Sequence, residues 1–124
     1  MNIPQDLKYT KTHEWVKIDG NKAKVGITDY AQHEITDIVH IELPENGKDV
    51  KKAQPAAVIE SVKSAFDIYS PVNGKIVETN EAVLGSPEIV NQDPYEKGFL
   101  FTVEFGDASD LGDLLGADEY KNLI

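Results

Sequence analysis

Turn-forming residues interrupt this chain so often that no apolar pattern runs long enough to make a long helix. Residues 14–18 and 22–27 flank Asp19-Gly20-Asn21, a hairpin signal, because glycine tolerates the positive φ of a tight turn. Thr28 or Asp29 is placed to cap a short helix running to Ile35, its side-chain oxygen accepting an orphan backbone N–H. Residues 37–43 set Ile38, His40 and Glu42 against Val39, Ile41 and Leu43, the alternation of a half-buried strand. Residues 56–62, 66–70 and 75–79 read as further strands, and 81–84 as one helical turn. Residues 98–105 form a last strand with Phe99, Phe101, Val103 and Phe105 on one face. Two short helices are expected at 107–115 and 117–123, capped by Asp107 and by Asp118 or its neighbours. The expectation is a mainly β chain with small peripheral and C-terminal helices. At 124 residues it forms one domain, 1–124, long enough to bury a real core.

Residues 44–50, PENGKDV, match residues 71–77, PVNGKIV, at five of seven places. Asn-Gly turns and prolines recur by chance in β-rich chains. The other reading is a quasi-repeat, two similar strand–turn–strand halves around a shared core, with Lys63 between the copies.

Charge and composition exclude several classes of function. The net charge is −10, all twelve basic residues are Lys, and there is no cysteine. Disulfides, thiolate metal sites and cysteine nucleophiles are ruled out, and the Arg forks that grip phosphate are missing. A chain with a pI near 4.6 repels nucleic acid and anionic lipid. No apolar run approaches the ~20 residues of a membrane span, and the first residues carry no signal or transit pattern, so the expected location is cytoplasmic. Residues 1–62 hold 8 Lys against 10 acids, whereas residues 63–124 hold 4 Lys against 12. The acids Glu104, Asp107, Asp110, Asp113, Asp118 and Glu119 fall in a Lys-free stretch. They are read either as a solvated face or as a steering surface for basic partner proteins.

Catalytic signatures are absent. His13, His33 and His40 lack zinc-ligand spacing, no nucleophile elbow accompanies a serine, and the glycines form neither a P-loop nor a dinucleotide fingerprint. No two carboxylates are placed in a recognisable apolar pocket that would split their pKa values. The expectation is a protein that is not an enzyme. Lys63 stands out instead, near the tip of a link between two alternating apolar-rich segments. By pattern alone it is either a solubilising lysine or an acylation site. Acylation would remove the charge and place a flexible arm on a fixed base, once an acylating enzyme deprotonates the amine.

The stretch IESVKS at 59–64, followed by YSPVNG at 69–74, resembles the lipoyl-attachment signature of the glycine cleavage system H-protein family. Further blocks resemble the family in order and at family spacing: YTKTHEWV at 9–16, GITDYAQ at 26–32, DIVHIELP at 37–44, VNQDPY at 90–95 and LLGADEY at 114–120. The family commonly has Leu-Gly at Ile35-Thr36, Gly at Ala53, an aromatic at His40 and Trp at Phe99.

The resemblance implies a lipoyl/biotinyl-type flattened β-sandwich or barrel-sandwich hybrid, and a carrier with no catalytic cycle of its own. Its cofactor would be lipoate, amide-linked to Lys63 by a lipoate-attaching enzyme, with Glu60 and Ser61 helping that enzyme recognise the hairpin. The arm would serve a glycine decarboxylase (P protein), a tetrahydrofolate-dependent aminomethyltransferase (T protein) and dihydrolipoyl dehydrogenase (L protein). Thr12, Glu14 and Asp67 match the family's arm cleft, where a carboxylate would hold the aminomethyl ammonium by charge-assisted hydrogen bonds. A monomer that binds no nucleic acid, membrane or metal is expected. The alternatives are an H-like protein relaying lipoyl or octanoyl groups to other apoproteins, or an unmodified β interaction module. A lipoyl domain of a 2-oxoacid dehydrogenase would not explain the blocks around Thr12 and Tyr95, and a biotin carrier would have Met on both sides of the lysine.

Overall fold

The computed structural model describes residues 1–124 as nine strands and four short α-helices. The N-terminal strands are β1 (Lys8–Tyr9), β2 (Glu14–Asp19) and β3 (Lys22–Ile27), followed by helix α1 (Asp29–Ile35). Next come β4 (Ile38–Glu42), β5 (Asp49–Val50), β6 (Pro55–Ser61), β7 (Ala65–Tyr69) and β8 (Gly74–Thr79). Helices α2 (Ala82–Gly85) and α3 (Glu88–Gln92) lead to β9 (Phe101–Phe105), and a 3₁₀ turn at Ala108–Leu111 precedes α4 (Ala117–Leu123). The strands form a six-stranded sheet, β1-β2-β3-β9-β8-β5, and a three-stranded sheet, β4-β6-β7, with every pairing antiparallel. The two sheets do not close into a barrel. They share the main core, to which the larger sheet gives Val16, Val25 and Val103 and the smaller gives Ile41, Ile59 and Ile68.

Strand β9 departs from simple alternation. Leu100, just before the strand, and Thr102 are buried like Phe101 and Val103, because β9 lies inside its sheet and both faces are covered at that point. A second, smaller cluster explains the same effect on β2. Trp15 packs with Ile3, Leu7, Tyr9, Ala117 and Tyr120, while its neighbour Val16 joins the main core. The Trp15 indole donates to the Pro94 carbonyl at 2.8 Å, and a Cβ on Gly26 would stand 2.6 Å from the ring.

Several sequence expectations are corrected. On β4 the register shifts between Ile38 and His40, so Ile38 and Ile41 are buried while Val39 is exposed. A bulge adds one residue and breaks the period of two, which residue types alone do not announce. The expected helix at 107–115 survives only as the 3₁₀ turn, because Leu115 must extend to pair with Tyr9 (N–H···O 2.7 and 2.8 Å). Helix α4 is capped at Gly116, whose N–H donates to the Glu119 carboxylate at 3.1 Å, and not at Asp118. At α1 it is Thr28, accepting from the Ala31 N–H, that caps the helix. Strands β1 and β5 and helix α3 carry no readable period in two to five residues and were not expected.

The two NGK heptads lie side by side. Asp49 pairs with Lys75 and Val50 with Gly74, and Lys48 and Ile76 are joined by an N–H···O bond of 2.9 Å. Shifting either partner by the repeat spacing carries the 48/76 pair onto the 75/49 pair, so the copies meet about a local two-fold. Their glycines serve different ends. Gly47 has φ +88°, whereas a Cβ on Gly74 would stand 2.2 Å from the Glu104 carbonyl oxygen. The acidic run is partly structural too: Asp107 accepts from the Ser109 N–H, Asp110 from the Asn73 N–H, and Asp113 pairs with Lys52.

Two of the positions where the sequence departs from the resembled family, Thr36 and Ala53, are left-handed, with φ +69° and +67°. Thr36 also has ψ −142°, a region close to glycine's own and hostile to a β-branched side chain. The side chain is exposed, so little packing opposes its removal. Thr36→Gly is expected to raise stability by about 1 kcal/mol, the relieved strain less the added entropy of the unfolded chain. Urea unfolding of the two proteins measures it.

Candidate functional site

Lys63 lies in the three-residue link between β6 and β7, the best-paired hairpin of the smaller sheet. One side chain builds the turn. Ser61, at the end of β6, accepts from the Lys63 N–H at 3.3 Å and the Ser64 N–H at 3.2 Å, while its own N–H donates to the Ser64 carbonyl at 2.8 Å. A serine hydroxyl with two lone pairs and almost no exposure suits this clamp. Lys63 itself is exposed, as is Val62 beside it, and both salt bridges of the protein lie elsewhere. The lysine therefore stands in water on a backbone that its neighbours hold.

Glu60 faces away along the same strand, directly across from His40 on β4. His40 Nε2 is 3.7 Å from Glu42, and all three side chains offer ligand atoms within 4.8 Å of one another. His40 and Glu42 are more than half exposed, so the pairing is worth little on its own. His13 and His33 stand apart from this group.

The carboxylate side of the site is built by the turn from Thr10 to Glu14. Glu14 is 1% exposed, yet its carboxylate is fully met. Oε1 accepts from the hydroxyls of Thr10 and Thr12 (2.6 Å for Thr12), and Oε2 from the Tyr69 N–H at 3.3 Å. Burial raises the Glu14 carboxyl above its ordinary value, and the three donors pull the other way. Asp67, two residues before Tyr69 on β7, is exposed. Two cavities meet at Thr12. One, of about 370 Å³, is lined by Thr10, Glu14, Lys52, Tyr69 and Asp113. The other, of about 320 Å³, is lined by His13, Ile27, Tyr30, Phe66 and Asp67.

The residues singled out in the sequence thus fall into two places. Glu60, Ser61 and Lys63 share the hairpin tip, and Thr12, Glu14 and Asp67 surround the paired cavities farther down β7. Thr12 bonds Glu14 directly, whereas Glu14 and Asp67 open onto different cavities. The sequence reading missed Thr10 and the Tyr69 N–H, Glu14's other two partners. Two hydroxyls four and two residues before a glutamate were the available signal for Thr10. A backbone donor from a distant strand leaves none.

A chain that buries Glu14 should respond to pH in a defined direction. A carboxyl raised in the folded state adds stability that is present below its unfolded value of 4.5 and is lost as pH rises through the higher folded value. The stability of the parent relative to Glu14→Gln is therefore expected to fall from about pH 4.5 upward and then level off. Denaturant titrations of both proteins across that range test it.

Comparison with known proteins bears on what this arrangement is for. Residues 7–124 match the family model described as Glycine cleavage H-protein. The chain is 77% identical over 124 residues to the glycine cleavage system H protein of Endomicrobium trichonymphae, covering 100% of both. It is 50% identical over 123 residues to that of Halalkalibacterium halodurans, covering 99% of this chain and 96% of the relative. A crystal structure of a glycine cleavage system H protein from Mycobacterium marinum superposes with a TM-score of 0.89 at 36% identity, over 97% of each chain. The departures at Thr36, Ala53, His40 and Phe99 leave the hairpin tip intact. On these matches, over the whole length and in both sequence and fold, the chain belongs to the glycine cleavage H-protein family, whose members are carriers and not catalysts.

Proposed function

We propose that this chain carries a lipoyl group in amide linkage on Lys63 and serves glycine cleavage as its mobile intermediary. The observation that carries the reading is the pairing of an unpartnered, exposed lysine at a clamped hairpin tip with a polar, carboxylate-bearing cleft between the far strand of that hairpin and the turn from Thr10 to Glu14. Asp67 lies four residues from Lys63, roughly 13 Å along an extended strand, a span suited to an acylated lysine folding back. The bound group would supply thiol–disulfide chemistry and a sulfur on which an aminomethyl group travels. The chain's own residues hold, orient and shield it. The absence of cysteine removes any thiol that would trap the arm in a mixed disulfide.

An amine attacks only with its lone pair free, so acylation of Lys63 requires a lipoate-attaching enzyme to hold it deprotonated. Ser61 contributes by holding the turn, which fixes where the amine is presented. Glu60, half-buried beside it, offers a charge for the attaching enzyme to read. Once the arm is loaded, one or both of the Glu14 and Asp67 carboxylates hold its ammonium, each from its own cavity, with Thr12 bordering both. Charge-assisted hydrogen bonds of that kind are about twice as strong as neutral ones, and they would delay loss of the amine to water. The loaded arm would pass from the glycine decarboxylase to the tetrahydrofolate-dependent aminomethyltransferase, and the reduced arm to dihydrolipoyl dehydrogenase. On this reading residues 1–124 act as a single carrier domain, a cytoplasmic monomer that docks with each enzyme in turn. No helix is long and apolar enough to cross a membrane.

Incubation with lipoate, ATP and a lipoate-attaching enzyme is expected to add one lipoyl mass to the parent and none to Lys63→Arg. Glu60→Ala should slow that addition. A folded parent that stays unmodified, while a known acceptor is labelled alongside, would make the protein an unmodified interaction module. With the arm loaded, Glu14→Gln combined with Asp67→Asn is expected to shorten its lifetime by at least about tenfold, the rate equivalent of one lost charged contact. A lifetime equal to the parent's would remove the cleft assignment. Methylene transfer from glycine with the three partner enzymes present separates cleavage from relay of the lipoyl group.

A further inference from the structure

Two residues of the sequence blocks that resemble the family have no part in the arm chemistry as described: His13, between Thr12 and Glu14, and Tyr120 near the C-terminus. The fold brings them together across 107 residues. Tyr120 is completely buried, its ring stacked on Tyr9 at 4.8 Å and 11°. Its hydroxyl oxygen lies 2.7 Å from Thr28 Oγ1 and 2.8 Å from His13 Nδ1. His13 has φ +71°, a left-handed conformation uncommon for any residue but glycine, and one that contacts beyond the turn help to hold. Its backbone is gripped too: its N–H donates to the Thr10 carbonyl at 3.3 Å, and its carbonyl accepts from the Thr28 N–H at 3.1 Å.

The direction of the proton chain follows from burial. Thr28 is 0% exposed, and its hydroxyl oxygen already accepts the Ala31 N–H at 3.1 Å. Tyr120 Oη is the remaining acceptor within its reach, so the Thr28 proton points there, and the Tyr120 proton points to His13 Nδ1. The opposite order would leave a buried hydroxyl proton without an acceptor, a loss comparable to breaking a hydrogen bond. His13 is therefore the tautomer with its proton on Nε2. Burial also lowers its basicity, in keeping with a neutral ring that accepts at Nδ1.

We propose that Tyr120 is a positioning residue for the arm cleft: fixed by Thr28, its hydroxyl holds His13 and so the left-handed turn that presents Thr12 and Glu14. Helix α4 thereby reaches the cleft without lining it. His13 forms part of the wall of the cavity that holds Asp67, together with Tyr30 at 5.0 Å. Loss of the Tyr120 hydroxyl frees the ring and the turn while leaving the aromatic stack in place. The inference rests on reading Thr12, Glu14 and Asp67 as the cleft for the loaded arm.

The test uses the full chain in two states. In the unmodified protein, long-range proton–nitrogen NMR of the histidines is expected to show His13 protonated on Nε2 alone. Tyr120→Phe should give a mixture of tautomers, whereas Thr28→Ser alone, which keeps both hydroxyls, should leave the parent pattern unchanged. In the lipoylated and loaded protein, Tyr120→Phe is expected to speed amine release by about two- to tenfold, the rate equivalent of one neutral hydrogen bond, with lipoylation of Lys63 unchanged. His13→Asn cuts the chain at its other end with a residue that tolerates the left-handed backbone, and serves if Tyr120→Phe fails to fold. Release at the parent rate from folded Tyr120→Phe, while Glu14→Gln with Asp67→Asn speeds it, overturns the inference. If the double variant also releases at the parent rate, the cleft reading itself has failed, and this one falls with it whatever the tautomer.

Discussion

A carboxylate shut away from water persists as a charge only when donors replace the lost solvent, and Glu14 depends on donors from two parts of the chain. The hydroxyls of Thr10 and Thr12 come from its own turn, and the Tyr69 N–H comes from the smaller sheet. The same carboxylate thus completes the turn and ties the larger sheet to the strand that runs down from Lys63. Removing any one donor leaves part of a buried charge unpaired, a loss well above that of an ordinary hydrogen bond. The cleft exists where it does because this contact brings the beginning of β2 against the end of β7. Its raised carboxyl and its polar lining have the same origin.

Stiffness and freedom are divided sharply along the hairpin. Ser61 spends its hydroxyl on two backbone N–H groups, so the link of Val62, Lys63 and Ser64 is short and held. Beyond the Lys63 backbone nothing restrains the side chain. A carrier profits from both: a base that presents a side chain in one geometry, and a side chain free to move from it. The acidic surface contributes less than its charge implies. Asp107, Asp110, Asp113 and Glu119 each accept an internal hydrogen bond, so part of the run serves local structure before it serves any partner.

The positions where this chain differs from the family it resembles are informative for a physical reason. Thr36 and Ala53 both have positive φ, so the backbone there holds a conformation that suits glycine although neither residue is one. Neighbouring contacts impose it. The Thr36 N–H closes α1 onto the Gln32 carbonyl, and the Thr36 carbonyl accepts from Asn91. The Ala53 N–H donates to the Ser70 carbonyl. Strain is tolerated where the surrounding bonds over-determine the turn.

Local chemistry determined much of this protein. The Gly20 hairpin, a helix cap at Thr28 or Asp29, the strands around Lys63 and its place at a link follow from turn chemistry and alternation over a few residues, which the chain reads without distant partners. The residues around Lys63 also resemble the family's signature over two short stretches, 59–64 and 69–74. Tertiary structure decided the rest. The β4 bulge, the loss of the helix at 107–115 to the Leu115–Tyr9 pairing, and the two-residue strands depend on neighbours far along the chain. So does the setting of Glu14: nothing near it in sequence reveals that Tyr69 will donate to it, or that Tyr120 will reach the histidine beside it. A hydrogen bond across tens of residues has no period and no motif, because the distance that makes it exists only once the sheets have packed.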